Sequence, residues 1–151
     1  VELSSIIALV REGSLDGVHQ AGGNAHLLAD VLRLTPRVPV YTGVEDLIYL
    51  AFLLGAEGAI SSLATVFPED SVALYEAARQ GDSTGAREIH ERLNRLWRAL
   101  DHPEELLSRI KWALTLRQRQ AGVPRSPYNV ISGESQRIVK ESLERAENLA
   151  N

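Results

Sequence analysis

A histidine, a glutamate and a serine lie at or just after the ends of three short apolar segments of this chain. His19 lies near the end of the first segment, Glu45 follows the second, and Ser62 ends the third. An imidazole can serve as a general base near neutral pH, and a carboxylate can transfer protons in either direction. His19 and Glu45 are also metal-ligand types, but two potential ligands on neighbouring strands fall short of a metal site. The residue types therefore indicate acid–base chemistry, and we predict no metal.

Each of these features also has a structural interpretation. His19 could simply fill space and hydrogen-bond a neighbour, and Asp46, at the start of a helix, suits the positive end of that helix. Gly22 and Gly23 precede a helix but lack the spacing of the glycine-rich phosphate loops. We therefore predict no nucleotide and no other cofactor.

The composition is that of one globular domain. The chain has 151 residues, 44% hydrophobic content and a net charge of -4, so it can bury one core but offers no basic surface for nucleic acid or an acidic membrane. No run reaches the roughly 18 consecutive apolar residues of a membrane span, and the start of the chain has no basic flank or apolar leader. The sequence contains no cysteine, which excludes disulfides and thiolate metal sites. We expect a cytoplasmic protein that binds neither nucleic acid nor membrane.

Hydrophobic periodicity divides the chain into two parts. Helices are predicted over residues 1–11, 25–34, 44–54, from near 68, and over 83–100, 103–120 and 133–149; strands are predicted over 15–20, 38–42 and 58–62. A loop is predicted between the third strand and Pro68, a residue that suits a first helical turn. The strand ends recur about every two dozen residues, which is typical of successive parallel βα units.

Three parallel strands would leave unpaired edges, whereas parallel sheets are normally covered on both faces or closed into a barrel. We therefore predict an α/β fold that is part of a (βα)8 barrel: residues 1–81 form βα units of the barrel, and residues 82–151 form a helical extension of the same domain. In such a barrel all strand ends meet at one mouth. The chain has no methionine and begins at Val1, and we expect that a larger N-terminal portion precedes it.

Four segments together resemble the C-terminal half of the dihydrodipicolinate synthase and N-acetylneuraminate lyase superfamily. They read DGVHQAGGN from Asp16, PVYTGVED from Pro39, LGAEGAISS from Leu54 and IKWAL from Ile110. Their order and spacing make the match specific, although each segment alone is weak. The resemblance implies a barrel that commonly assembles as a tetramer, with strands six, seven and eight in this chain. It also implies class I aldolase or synthase chemistry, in which a 2-oxo acid such as pyruvate forms an imine with a lysine.

The resemblance assigns roles to five positions of this sequence. His19 occupies the position of the imine-forming lysine. Gly43 and Glu45 match the loop after strand seven, which contacts substrate. Ile60 matches the strand-eight residue whose backbone carbonyl faces the imine, and Ser62 matches a substrate-contacting serine of the lyases.

The chain departs from the family pattern where the chemistry is decided. Val44 stands where synthases often have an acid, and Leu63 and Thr65 replace a common threonine and asparagine. Histidine cannot form the protonated imine that makes lysine an electron sink. The only two lysines, Lys111 and Lys140, fall on predicted C-terminal helices, so neither is a substitute nucleophile.

Three functional hypotheses follow. The first is a dihydrodipicolinate synthase-like lyase, aldolase or dehydratase acting on pyruvate or another 2-oxo acid, in an incomplete or lysine-deficient form. The second is a non-catalytic subunit that completes a partner chain carrying strands one to five. The third is a half-barrel that self-associates into a homo-oligomer. Three explanations are open for histidine at position 19: an engineered change, a natural loss of imine chemistry, or a different mechanism that uses imidazole as a general base.

Overall fold

The computed structural model describes residues 2–22 and 24–148. Its helices are α1 (Leu3–Arg11), α2 (Ala25–Leu34), α3 (Ile48–Leu53), α4 (Ser62–Val66), α5 (Pro68–Gln80), α6 (Ser83–Leu100), α7 (Leu106–Leu116) and α8 (Gly133–Asn148); a 3-10 turn covers Glu45–Leu47. Its strands are β1 (Val18–Gln20), β2 (Val40–Thr42) and β3 (Gly58–Ala59). The predicted α/β class is confirmed, and helices dominate.

The strands form one parallel sheet in the order β1-β2-β3. His19 pairs with Tyr41 in register, and Tyr41 pairs with Gly58. Because side chains alternate along a strand, these three residues share one face of the sheet. Val18, Gln20 and Val40 face the other way and are buried.

Local sequence signals explain several helix ends. The Asn24 side chain accepts hydrogen bonds from the backbone N–H groups of His26 (2.9 Å) and Leu27 (3.3 Å), which satisfies free donors of the first turn of α2. Pro68 begins α5, where its missing N–H costs nothing. Gly81 ends α5 with φ of 75°, a conformation that glycine adopts without strain.

Two hydrophobic clusters hold the elements together. The smaller one packs α2 and α3 against the sheet through Val18, Leu28, Val31, Val40 and Ala51. The larger one joins α3 to the helices after β3, with Leu63, Leu74, Leu93, Leu100 and Ala113 among its members. A fully buried leucine contributes about 1.5–3 kcal/mol, so the larger cluster anchors the helical half of the chain.

The structure corrects some predicted elements. The helix predicted over 44–54 is divided into the 3-10 turn and α3, and the loop predicted before Pro68 contains α4, which Ser61 caps by accepting a hydrogen bond from Ala64 N. The predicted strand at 58–62 is shorter because α4 begins at Ser62. The prediction for α6 is confirmed at both ends. Val1, Gly23 and Leu149, which also belonged to predicted elements or turns, lie outside the described residues.

None of the described helices is both long and apolar enough to cross a bilayer.

Candidate functional site at the strand ends

His19 lies in β1 between two buried residues and is itself exposed. Its neighbours Val18 and Gln20 point into the protein, so the imidazole points to the opposite face of the sheet. No other described element packs over this imidazole closely enough to bury it. The side chain is therefore available to a ligand or to further protein.

Gly43 brings the second strand end next to His19. Its backbone N–H donates to the carbonyl of Gln20 at 2.7 Å, which continues the pairing of β1 and β2. A Cβ atom at position 43 would lie 2.3 Å from His19 Nε2 and 3.0 Å from the Cβ of Ala21. Only glycine leaves the imidazole this space, so the predicted neighbours His19 and Gly43 do lie together.

Glu45 lies in the 3-10 turn after β2 and is only 7% exposed. The Ser61 hydroxyl donates to Oε2, and the backbone N–H of Ser62 donates to Oε1 at 2.5 Å. Burial raises the pKa of the Glu45 carboxyl, while the hydrogen bonds from Ser61 and Ser62 oppose that rise. Glu45 thus connects the end of β2 to the turn between β3 and α4.

Ile60 and Ser62 lie at the third strand end. The Ile60 backbone N–H donates to the carbonyl of Thr42 at 2.9 Å, and its side chain is 58% exposed. Ser62 is the first residue of α4, with its N–H bound to Glu45. Ile60 therefore exposes an apolar side chain at the strand end, whereas the Ser62 backbone faces Glu45.

Both lysines lie far along the chain from the strands. The Lys111 ammonium, on α7, donates to the carbonyl of Ala121 at 2.6 Å, and Lys140, on α8, pairs with Glu144 at 3.8 Å. Neither belongs to the sheet or to its connecting turns. The strand ends therefore carry an imidazole, a carboxyl and hydroxyls, but no amine.

Sequence reasoning did not select Tyr41, and it placed Ser61 beside Ser62 at the barrel mouth without giving it a role. Tyr41 shares the open face with His19, and its ring lies over Gly58, where an added Cβ would be 3.1 Å from Tyr41 Cδ1. The alternation of side chains along β2 could have identified Tyr41, because the pairing of β1 and β2 puts it beside His19. Ser61 is adjacent to the predicted Ser62, but only the tertiary contact with Glu45 singles it out.

This arrangement can bind a small polar molecule and move a proton. Imidazole accepts or donates a proton, and the Tyr41 phenol and the backbone at Gly43 border the same face. The residues described contain no group of three or more His, Cys, Asp or Glu side chains that could hold a metal ion. The chemistry open to these residues is proton transfer rather than imine formation.

Comparisons with known proteins agree on one family. The sequence model of the dihydrodipicolinate synthetase family matches residues 1–146. A 4-hydroxy-tetrahydrodipicolinate synthase from Archaeoglobus fulgidus is 36% identical over 132 residues, which are 87% of this chain and 45% of that protein. The chain thus spans about half the length of the curated relatives it matches.

Solved structures show the same relationship. The dihydrodipicolinate synthase from Oceanobacillus iheyensis matches 97% of this chain and 51% of its own, at 25% identity and a TM-score of 0.87. The N-acetylneuraminate lyase from Fusobacterium nucleatum matches 96% of this chain and 50% of its own, at 26% identity and a TM-score of 0.83. The similarity therefore extends to both named enzyme types.

Proposed function

Because the chain belongs to the dihydrodipicolinate synthetase family, we propose that it supplies strands six to eight of a (βα)8 active site for a lyase or aldolase acting on pyruvate or another 2-oxo acid. Residues 1–81 are the barrel units of this proposal, and residues 82–151 are its helical extension. The substrate-facing residues are His19, Gly43, Glu45, Ile60 and Ser62.

The observation that supports this proposal is the close packing of the His19 imidazole against Gly43 at the ends of two parallel strands. In α/β proteins, ligands bind at the carboxyl ends of parallel strands, which in a closed barrel form one mouth. His19 points to an open face there, and a side chain at position 43 would collide with the imidazole. This geometry favours a site at the strand ends over a histidine buried for packing.

Histidine at position 19 changes the chemistry that the family relationship suggests. A lysine amine condenses with the ketone and loses water, whereas imidazole cannot form the protonated imine. We infer that His19 acts as a general base on the bound 2-oxo acid. The imidazole takes a proton from the carbon next to the ketone, and the C–H electron pair moves into the enolate. Return of the proton regenerates both partners, so the step needs no co-reactant.

Solvent exchange of substrate protons tests this step. We expect the methyl group of pyruvate to take up deuterium in D2O when the protein is present, at a rate that His19→Gln reduces to background. His26→Gln is the matched control, because His26 is exposed on α2 and outside the site. Absence of exchange with the wild-type chain in its native assembly would overturn the catalytic proposal.

Trapping experiments test the absence of imine chemistry. We expect intact mass spectrometry to find no adduct on this chain after incubation with pyruvate and borohydride, since neither lysine lies at the strand ends. An adduct on Lys111 or Lys140 would contradict this expectation.

A second candidate function is a non-catalytic subunit. It is favoured by the open sheet, because among the described residues β1 and β3 each pair with only one strand. Three leucines of the α3 region, Leu50, Leu53 and Leu54, are also 38%, 60% and 46% exposed, which suits burial against another copy or another chain. Native mass spectrometry distinguishes a homo-oligomer from a complex with a second chain that supplies strands one to five.

A further inference from the structure

The 3-10 turn after β2 connects the strand ends to the helical extension through two adjacent acidic residues. Glu45 is directed to Ser61 and Ser62, as described above. The next residue, Asp46, pairs with Arg98 of α6, with 2.8 Å between Oδ1 and Nη2. The turn therefore contacts the third strand end through Glu45 and α6 through Asp46. Arg98 lies 52 residues after Asp46 in the chain.

A second contact from α6 reaches the same turn. His90 lies two helical turns before Arg98 and is partly buried, and it is close enough to Asp46 for that residue to raise its pKa. Its Nε2 lies 3.1 Å from Nδ2 of Asn94, and its ring centroid is 5.9 Å from that of Tyr49 on α3. Positions 90, 94 and 98 share one face of α6 because they are spaced by four residues. That face therefore contacts the turn through the Arg98–Asp46 pair.

Burial favours the neutral form of His90. It lowers the pKa of the imidazole, while the nearby Asp46 backbone and the negative charges of Asp46 and Glu91 oppose that decrease. A neutral imidazole donates one hydrogen bond and accepts another. The contact with the Asn94 amide uses the ring nitrogen Nε2.

We propose that His90 and Arg98 are positioning residues that hold the 3-10 turn, and with it Glu45 and Gly43, in place beside His19. This role rests on the proposed function at the strand ends. The Asp46–Arg98 pair is exposed, with 36% and 65% of the two side chains accessible, and such pairs contribute little to overall stability. Its main effect is therefore on the position of the turn rather than on the stability of the fold.

Hydrogen exchange of backbone amides tests the proposal on the full-length chain without any ligand. The informative amides are Ser62 N–H, which is bound to Glu45, and Gly43 N–H, which is bound to Gln20. We expect Arg98→Gln to accelerate exchange at both amides by about two- to fivefold, the range that an exposed ion pair provides. Arg98→Lys, which keeps the charge, should restore most of the protection.

Arg92→Gln is the matched control. Arg92 lies on the same helix and pairs with Asp70 of α5, and its side chain is only 27% exposed. Its loss should perturb the contact between α5 and α6 but leave Ser62 and Gly43 unchanged. Equal acceleration in both variants, or unchanged exchange in Arg98→Gln, would overturn the proposal.

An NMR titration of His90 provides a readout that a purely structural effect would not change. Loss of the Arg98 charge leaves the Asp46 carboxylate unpaired, so we expect the pKa of His90 to rise in Arg98→Gln and to stay unchanged in Arg92→Gln. A His90 titration that does not differ between these variants would contradict the proposed link. Neither the amide exchange nor the His90 titration uses a 2-oxo acid. Both therefore test the positioning of the turn even if the catalytic proposal fails.

Discussion

The strand ends and the helical extension each contain a glutamate bound by serines, Glu45 buried and Glu105 partly buried, yet the pKa values of the two carboxyls are shifted in opposite directions. Burial raises the pKa of Glu45, whereas the hydrogen bond from Ser135 lowers the pKa of Glu105. Glu105 also has Arg109 at 3.7 Å, while the described ion pairs include none for Glu45. Glu105 thus has a cation beside it within the extension, whereas the described ion pairs give Glu45 none.

This difference separates polar groups that hold the fold together from groups that remain accessible. Arg109 is 7% exposed and donates to the Ala99 carbonyl at 2.9 Å and to the Ser135 hydroxyl at 2.7 Å, so it joins α6, α7 and the start of α8. At the strand ends, by contrast, His19 is exposed on an open face. Polar groups with satisfied partners stabilise a fold, and those left available are the ones that can bind.

The largest expected effect is in the extension. Arg109→Ala should reduce the free energy of unfolding by about 3–5 kcal/mol, because it leaves Glu105 and the Ala99 carbonyl without their buried partner. Urea unfolding measures this loss. Arg145→Ala on α8 is the control: its side chain is 78% exposed, and it should change stability by less than about 0.5 kcal/mol. Similar losses in both variants would show that the Arg109 network is not a special support.

Gly43→Ala should have an intermediate effect at the strand ends. The new methyl group would meet His19 Nε2 and the Cβ of Ala21, and we expect a loss of about 1–2 kcal/mol by urea unfolding. In a His19→Ala background the loss should be smaller, because one of the two collisions is gone. A double-mutant cycle measures this coupling. Additive losses of unfolding free energy would contradict the close packing of the imidazole against position 43.

The two glutamates should give opposite pH dependences. The folded pKa of Glu45 is raised, so its favourable contribution is present below the unfolded value near 4.5 and is lost as pH rises through the folded value. The stability of the wild type relative to Glu45→Gln should therefore increase as pH falls from 7 towards 4.5. Urea unfolding at several pH values provides the comparison.

Glu105→Gln is the matched control with the reverse sign. The folded pKa of Glu105 is lowered, so its favourable contribution is present above 4.5 and is lost as pH falls through the folded value. The advantage of the wild type over this variant should thus shrink on acidification. The same sign for both glutamates would remove the contrast between the two regions.

The smallest expected change in stability belongs to His19. Because the imidazole is exposed, His19→Ala should change the free energy of unfolding by less than about 0.5 kcal/mol. Deuterium exchange of pyruvate should nevertheless fall to background. A large loss of stability would indicate that His19 supports the fold instead of serving a site.

The local pattern of the sequence predicted most of the helices and the three strands, but not α4 or the division of the 44–54 helix. Helical spacing defined both ends of α6, and Pro68 marked the start of α5, because these signals depend on neighbours within one or two turns. The proximity of His19 and Gly43 was also predictable, since parallel strands bring their carboxyl ends together. Closure of the sheet into a barrel stays a prediction.

Only the tertiary structure decided how the polar side chains are used. Glu45 was predicted to line a pocket, and that role stays a prediction, while the structure directs both its oxygens to a turn 16 and 17 residues away. The α6 contacts to Asp46 and the Arg109 network likewise join residues far apart in the chain. Composition and periodicity say which side chains are buried, but the register of strands and the packing of helices determine which groups meet. Local sequence patterns therefore determined most of the helices and strands, and the packing of those elements determined which polar groups bind one another and which side chains stay exposed at the strand ends.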